Sequence, residues 1–253
     1  MKTKTSVSLI SYLNSKPFLY GLQNHRMPET IDLQLEIPAQ TVEKLANKRA
    51  DIGLVPVGGL CDLDNYEIIS NYCIGATGKV RTVVLASEVP VEKIETVLLD
   101  YQSRSSVMLC KVLAKHYWRK DFLWQNTTGN FHNHLINNNT AGVVIGDRVF
   151  DIEKRYRYCY DLSEEWLEFT GLPFVFAVWV ALKKPAADFT AEFNAALAYG
   201  VNNLKEVAQT VKGKYPGVDI NDYFTNNISY PLDEEKQKGM AKFMKLAQKQ
   251  ACR

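Results

Sequence analysis

The chain has 253 residues, of which 46% are hydrophobic and 23% charged. That is enough to bury a sizeable core in one large α/β domain or two smaller lobes, and it excludes a disordered composition. Lys and Arg total 30 against 28 for Asp and Glu, with no long run of like charge, so nucleic acid is not an expected partner.

The apolar stretch from Val7 is cut by Ser11, Asn14 and Lys16. Neither a secretory leader nor a membrane span is read there, and no apolar run of about eighteen residues occurs elsewhere, so a cytoplasmic protein with no membrane partner is expected. Val7 to Ile10, Leu33 to Ile37 and Ile52 to Val57 are predicted strands, and Thr41 to Lys48 is a predicted helix with Val42, Leu45 and Ala46 on one face. A β-rich stretch from Ile74 to Ser87 follows, then a strand at Thr96 to Asp100. A helix opened by Ser105 or Ser106 comes next, with Leu109, Val112, Leu113 and Tyr117 at helical spacing.

Gln125 to Gly142 is rich in Asn, Thr and Gly and reads as a loop with a short helix near His134 to Asn138, closed by a strand from Gly142 to Gly146. The run from Pro173 to Leu182 is rich in β-branched and aromatic residues and reads as a buried strand. Beyond Pro185 the pattern is helical, carried by Phe193, Leu197, Val201 and Leu204, then by Met240, Phe243, Met244 and Ala247. Cys61, Cys73, Cys110, Cys159 and Cys252 are scattered and odd in number, which argues for reduced thiols rather than disulfides or a zinc site. His132 and His134 have no spaced carboxylate or cysteine to complete a metal site and are expected in a solvent-exposed loop.

Strands alternating with helices indicate a parallel α/β organisation, and two long apolar strands near residues 80 and 178 suggest a chain that crosses twice between two lobes. The expected division places 1–85 and 180–253 in one lobe and 86–179 in the other, with crossovers near 80–90 and 172–182. Ligand is expected in the intervening cleft.

Six segments appear in order: SYLNSKP (Ser11 to Pro17), ADIGLVPV (Ala50 to Val57), GKVRTVVLAS (Gly78 to Ser87), LDYQSRSSVMLCKVL (Leu99 to Leu113), GVVIGDRVF (Gly142 to Phe150) and YDLSEEWLEFTGLPFVFAVW (Tyr160 to Trp179). In combination they resemble the chorismate dehydratases of the futalosine route to menaquinone. The resemblance implies a two-lobed fold similar to type II periplasmic binding proteins, used for catalysis without a metal or organic cofactor. It also implies chorismate, a small dicarboxylate, as substrate and 3-enolpyruvylbenzoate and water as products. Val57 stands where the family often has serine, so only a backbone amide of the Pro56 to Gly58 turn is expected to serve there. Thr82 and Ser105 depart from the pattern but keep a hydroxyl.

Such a substrate needs fixed donors around two carboxylates, removal of one proton and exclusion of water. Ser105 and Ser106 follow Asp100 where a strand hands over to a helix, so hydroxyls and free amides can converge on a carboxylate, although a plain helix cap explains them too. Arg104 is a secondary source of charge. Asn14, with Ser11 beside it, follows a strand and offers donor and acceptor at a lobe edge; a turn residue before Pro17 is the plain alternative. The resemblance favours a catalytic Asn14, with Thr82 as a second catalytic candidate on the crossover segment. Gly146 and Asp147 end a strand and Thr170 and Gly171 precede one, each either at the ligand or in an ordinary cap or turn. A related naphthoate synthase acting on a cyclic futalosine derivative is the alternative enzyme, but it typically carries Ile-His-Glu where this chain has Ile145-Gly146-Asp147. A non-enzymatic small-anion-binding protein is the other alternative. Nothing in the sequence speaks to the oligomeric state.

Overall fold

The computed structural model describes residues 4–27, 30–129 and 131–251. In chain order the strands are β1 (Thr5–Ile10), β2 (Ile31–Glu36), β3 (Ile52–Pro56), β4 (Glu67–Ala76), β5 (Val83–Ser87), β6 (Thr96–Leu99), β7 (Leu123–Asn126), β8 (Thr140–Ile145), β9 (Tyr158–Asp161), β10 (Phe174–Ala181) and β11 (Ser229–Pro231). The helices are α1 (Lys16–Asn24), α2 (Pro38–Ala46), α3 (Arg104–Leu113), α4 (Val149–Ile152), α5 (Leu162–Thr170), α6 (Ala187–Asn202), α7 (Leu204–Thr210), α8 (Ile220–Asp222) and α9 (Glu234–Ala251).

The chain divides into two compact units, Met1–Gly75 with Val175–Asp233, and Ala76–Phe174 with Glu234–Arg253. In the first, the sheet order is β11-β4-β10-β3-β1-β2. β1 runs parallel to β2 and β3, while β10 runs antiparallel to β3. β10 is buried at every position, which is why its sequence is a continuous apolar run, whereas the edge strand β2 alternates polar and apolar residues. Phe18 of α1 packs edge-on against Trp179 of β10, and Trp179 against Phe193 of α6. Helices α1 and α6 meet through glycine: a Cβ on Gly21 would lie 2.0 Å from the Ala196 carbonyl oxygen.

In the second unit the order is β7-β6-β8-β5-β9, with β6 parallel to β7 and β8 and β5 antiparallel to β8 and β9. With the antiparallel strand (β10 or β5) left out of the numbering, each sheet repeats one pattern: second, first and third strand, then the antiparallel strand, then the fourth, to which the first sheet adds β11. One face of the second sheet is covered by Phe131, Ile136, Val149, Ile152 and Tyr156. Elsewhere in this unit Trp166 of α5 packs against Phe174 and against Phe243 of α9.

Several expectations are corrected. The stretch from Ile74 to Ser87 is two strands, because Gly78 (φ 97°) and Arg81 (φ 61°) turn the chain between β4 and β5. The division also differs from the one read in the sequence. β5 belongs with the second unit because it pairs with β8 and β9, and β10 belongs with the first because it pairs with β3. α9 leaves the expected first lobe because its Phe243 packs on Trp166 and Phe174, so the chain passes between units three times rather than twice. The Asn-rich segment forms a 3-10 turn at Phe131–Asn133 rather than a helix near residues 134–138. Cys61, Cys73, Cys110 and Cys159 are free thiols, and Cys252 lies outside the described residues.

Candidate functional site

Parallel α/β sheets present ligand-binding loops at the carboxyl ends of their strands, where neighbouring connections diverge. In the first unit that point lies between β1 and β3. The register Val7 to Ile52 and Ser8 to Gly53, carried forward, sets Ser11 beside Pro56. Ser11 gives its N–H to the Glu36 carbonyl at 2.9 Å. The chain then turns through a 3-10 segment, Leu13–Ser15, into α1, with proline in its first turn. The Ser15 hydroxyl holds that turn by bonding the carbonyls of Ile10 and Tyr12. Asn14 accepts a hydrogen bond from the Tyr230 hydroxyl at 3.2 Å through its backbone oxygen. Its side-chain amide has no partner among the described residues and is partly exposed. Pro56, Val57 and Gly58 are buried, with the Val57 side chain fully inside the core, so this turn can offer a ligand only its backbone.

In the second unit the corresponding edge gathers residues from three strands. Thr82, 1% exposed, precedes β5, and its carbonyl accepts from the Gly146 N–H at 2.9 Å at the end of β8. Gly146 adopts φ 74°, a left-handed turn that an L side chain would strain. Helix α3 begins at the end of β6, but its cap is Ser103 rather than Ser105 or Ser106. The Ser103 hydroxyl oxygen accepts from the Ser106 N–H at 3.2 Å, and its O–H donates to the Ser106 hydroxyl at 2.9 Å. Ser105 and Ser106 are buried in the first turn and Arg104 is exposed. The helix start places N–H groups and the positive end of the dipole at this edge.

Two carboxylates that the sequence did not single out organise this edge. Asp100, with its side chain fully buried, accepts from Arg148 Nη2 at 2.7 Å and from the Gln102 N–H at 2.9 Å. Burial raises its carboxyl above the ordinary range, against the opposing pull of Arg148. No sequence motif marks this pair, whose members lie 48 positions apart. Asp161 caps α5 by accepting from the N–H groups of Ser163 and Glu164, and it also takes those of Val80 and Arg81 at 3.2 and 2.7 Å. Burial pushes its carboxyl up to about 6 in spite of these four donors. Here a signal existed, since Asp161 followed by Glu164 ahead of an apolar run is a helix-start pattern.

The remaining candidates have structural partners. Asp147 is half-buried in the turn before α4. Thr170 and Gly171 end α5: the Thr170 hydroxyl donates to the Trp166 carbonyl at 2.7 Å, and Gly171 caps the helix with φ 71°. His132, expected in solvent, is only 7% exposed, because Phe131 and Ile136 on either side insert into the core. Its Nδ1 is buried with no partner among the described residues, and burial, with Arg148 and Arg155 adding to it, lowers its pKa and so favours the neutral ring. Among the described residues no helix is long and apolar enough to cross a membrane. A groove of about 730 Å³ opens at the other ends of β1 and β3, lined by Lys4, Lys48, Lys183, Asp51, Asp62 and Asp64 among others. It mixes both charges and none of the candidate site residues lines it, so it does not compete with the strand-end sites.

Comparison with known proteins agrees with this architecture. The chain is 24% identical over 201 residues to a chorismate dehydratase of Thermus thermophilus, covering 71% of this chain and 73% of that protein. A crystal structure of a protein from Archaeoglobus fulgidus superposes with a TM-score of 0.78 at 15% identity, covering 99% and 98% of the two chains. A Candida albicans protein described as having the generic periplasmic binding protein fold gives 0.69 at 12% identity, covering 97% and 90%. The α/β fold is that of the periplasmic binding proteins. A profile of the menaquinone biosynthesis family matches residues 5–249, nearly the whole chain, and this protein belongs to that family.

Proposed function

We propose that this protein is a chorismate dehydratase, converting chorismate to 3-enolpyruvylbenzoate and water in the making of menaquinone. The observation that carries the reading is the strand-end edge of the second unit, where α3 starts after β6 and, beside it in the sheet, the Gly146 turn after β8 is bonded to Thr82. The similarity to a named dehydratase supports it.

Chorismate carries a ring carboxylate at C1, an enolpyruvyl ether at C3 and a hydroxyl at C4. The C3 proton is acidified through the C1=C2 double bond. Its removal leaves an electron pair that expels the C4 hydroxyl, and proton and hydroxide depart as water while the ring becomes aromatic. In this reading Ser105, Ser106 and the amides at the start of α3 bind a carboxylate, while Asn14 and Thr82 act at the leaving hydroxyl or the carbanion that precedes its loss. Pro56 to Gly58, Ser11, Arg104, Gly146, Asp147, Thr170 and Gly171 complete the proposed substrate-binding set. Burial favours the neutral form of His132, yet its Nδ1 is enclosed among core residues. The substrate's own enolpyruvyl carboxylate is therefore the proposed proton acceptor, in a site that mainly positions and excludes water.

The test is incubation of the purified protein with chorismate, following the loss of one water by mass spectrometry and the rise of an aromatic product by absorbance. Turnover without added metal or nucleotide is expected, and it separates this reading from a small-anion-binding protein, which binds chorismate unchanged. Binding without turnover, or turnover abolished by a chelator and restored by zinc, overturns it.

A further inference from the structure

We propose that Arg148, held by Asp100, is the cation that grips one carboxylate of the substrate in the second unit; this rests on the dehydratase reading above. Three bonds fix the guanidinium. Nε donates to the Ile145 carbonyl at 2.9 Å, and Nη2 donates to Asp100 at 2.7 Å and to the Gln102 side-chain oxygen at 3.0 Å. These bonds tie the end of β8 to the loop leading into α3, so Arg148 sits between the Gly146 turn and the Ser103 cap. Asp100 is enclosed, with no exposed side-chain surface, whereas Arg148 keeps 20% of its own. No partner of Nη1 occurs among the described residues.

A guanidinium carries five N–H donors in one plane, and a charge-assisted bond from one of them is enough to hold a carboxylate oxygen. With Nε and both Nη2 hydrogens committed to the protein, the two diverging Nη1 hydrogens remain, each able to make a single bond to a ligand carboxylate oxygen, already aimed and with little side-chain freedom left to lose. Asp100 is thereby a positioning residue. It is too buried to meet the substrate and acts by orienting the arginine. Lysine at 148 keeps the charge but cannot hold both loops and at the same time aim a spare donor at a carboxylate.

The test measures chorismate binding by calorimetry and turnover by absorbance for the wild type, Arg148→Ala and Arg148→Lys, after circular dichroism has shown an intact fold. KM and the dissociation constant are expected to rise at least tenfold in Arg148→Ala, with a smaller change in the turnover number, and Arg148→Lys should recover only part of the loss. Millimolar ethylguanidine should restore binding to the alanine variant; a residue that only staples the loops gives no such rescue. If the wild type turns chorismate over and the alanine variant keeps its KM, the Arg148 assignment is overturned and the dehydratase reading stands. If the wild type binds chorismate without turnover and the alanine variant binds it at least tenfold more weakly, the dehydratase reading is overturned and the Arg148 assignment stands. A wild type that binds no chorismate overturns both.

Discussion

Asn14 and Asp161 are opposite cases of a polar side chain at a strand end. Asn14 has an uncommitted amide, so its value lies in what a ligand does with it. If it stabilises charge that develops as the hydroxyl leaves, Asn14→Ala should lower the turnover number by roughly one to three orders of magnitude while chorismate still binds, as for loss of an oxyanion-hole donor. Calorimetry with single-turnover rates decides this; weaker binding with normal turnover at saturation reduces Asn14 to a binding contact. Asp161 is fully committed, with backbone N–H groups from the β4–β5 connection and from the start of α5 on one carboxylate. Burial holds its carboxyl at about 6, above the ordinary aspartate value of 3.8. The native state therefore holds the proton more tightly, and this contribution is fully present below about pH 4 and lost as pH rises through about 6. Relative to Asp161→Asn, which caps but does not titrate, the wild type should lose about 3 kcal/mol in all between about pH 3 and pH 7, most of it between 4 and 6. Urea titrations of both proteins across that range provide the check, and a pH-independent difference contradicts it.

At the scale of elements, the contact between α1 and α6 is the least forgiving in the first unit. A Cβ on Gly200 would lie 1.8 Å from the Pro17 carbonyl oxygen, and one on Gly21 2.0 Å from that of Ala196. Both obstacles are backbone, so neither helix can yield by changing a rotamer. Gly200→Ala should therefore cost about 3 kcal/mol, at the upper end for overpacking, although alanine favours a helix by up to about 1 kcal/mol. A denaturation midpoint equal to the wild type would show that the helices can part. This contact also matters for the site, because α1 starts two residues after Asn14.

For the whole molecule, the path of the chain decides which substitution weakens which unit. α9 ends the sequence but belongs to the second unit, where Phe243 is fully buried and meets Phe174 edge-on with ring centres 5.0 Å apart. Phe243→Ala should cost about 3–5 kcal/mol, the usual range for a large buried ring. Hydrogen exchange should show the loss in β5, β6 and β8, with β1 and β3 still protected. Equal loss of protection in both sheets would show that the units unfold together.

The sequence by itself determined the alternation of strands and helices, because hydrophobic periodicity is a local property: β10 and β3 are buried throughout and α6 along the face of Phe193 and Leu197. The order of its motifs also identified the family. Short edge strands such as β7 and β9, each four residues long, were not legible, because so few positions carry no usable period. Only the tertiary structure decided that β5 pairs with β8, that α9 packs on α5, and that Ser103 rather than its neighbours caps α3. It alone brought Asp100 to Arg148 and buried His132. Those outcomes depend on which distant segments exclude water together, and a pairing across 48 positions leaves no mark on the local pattern of either partner.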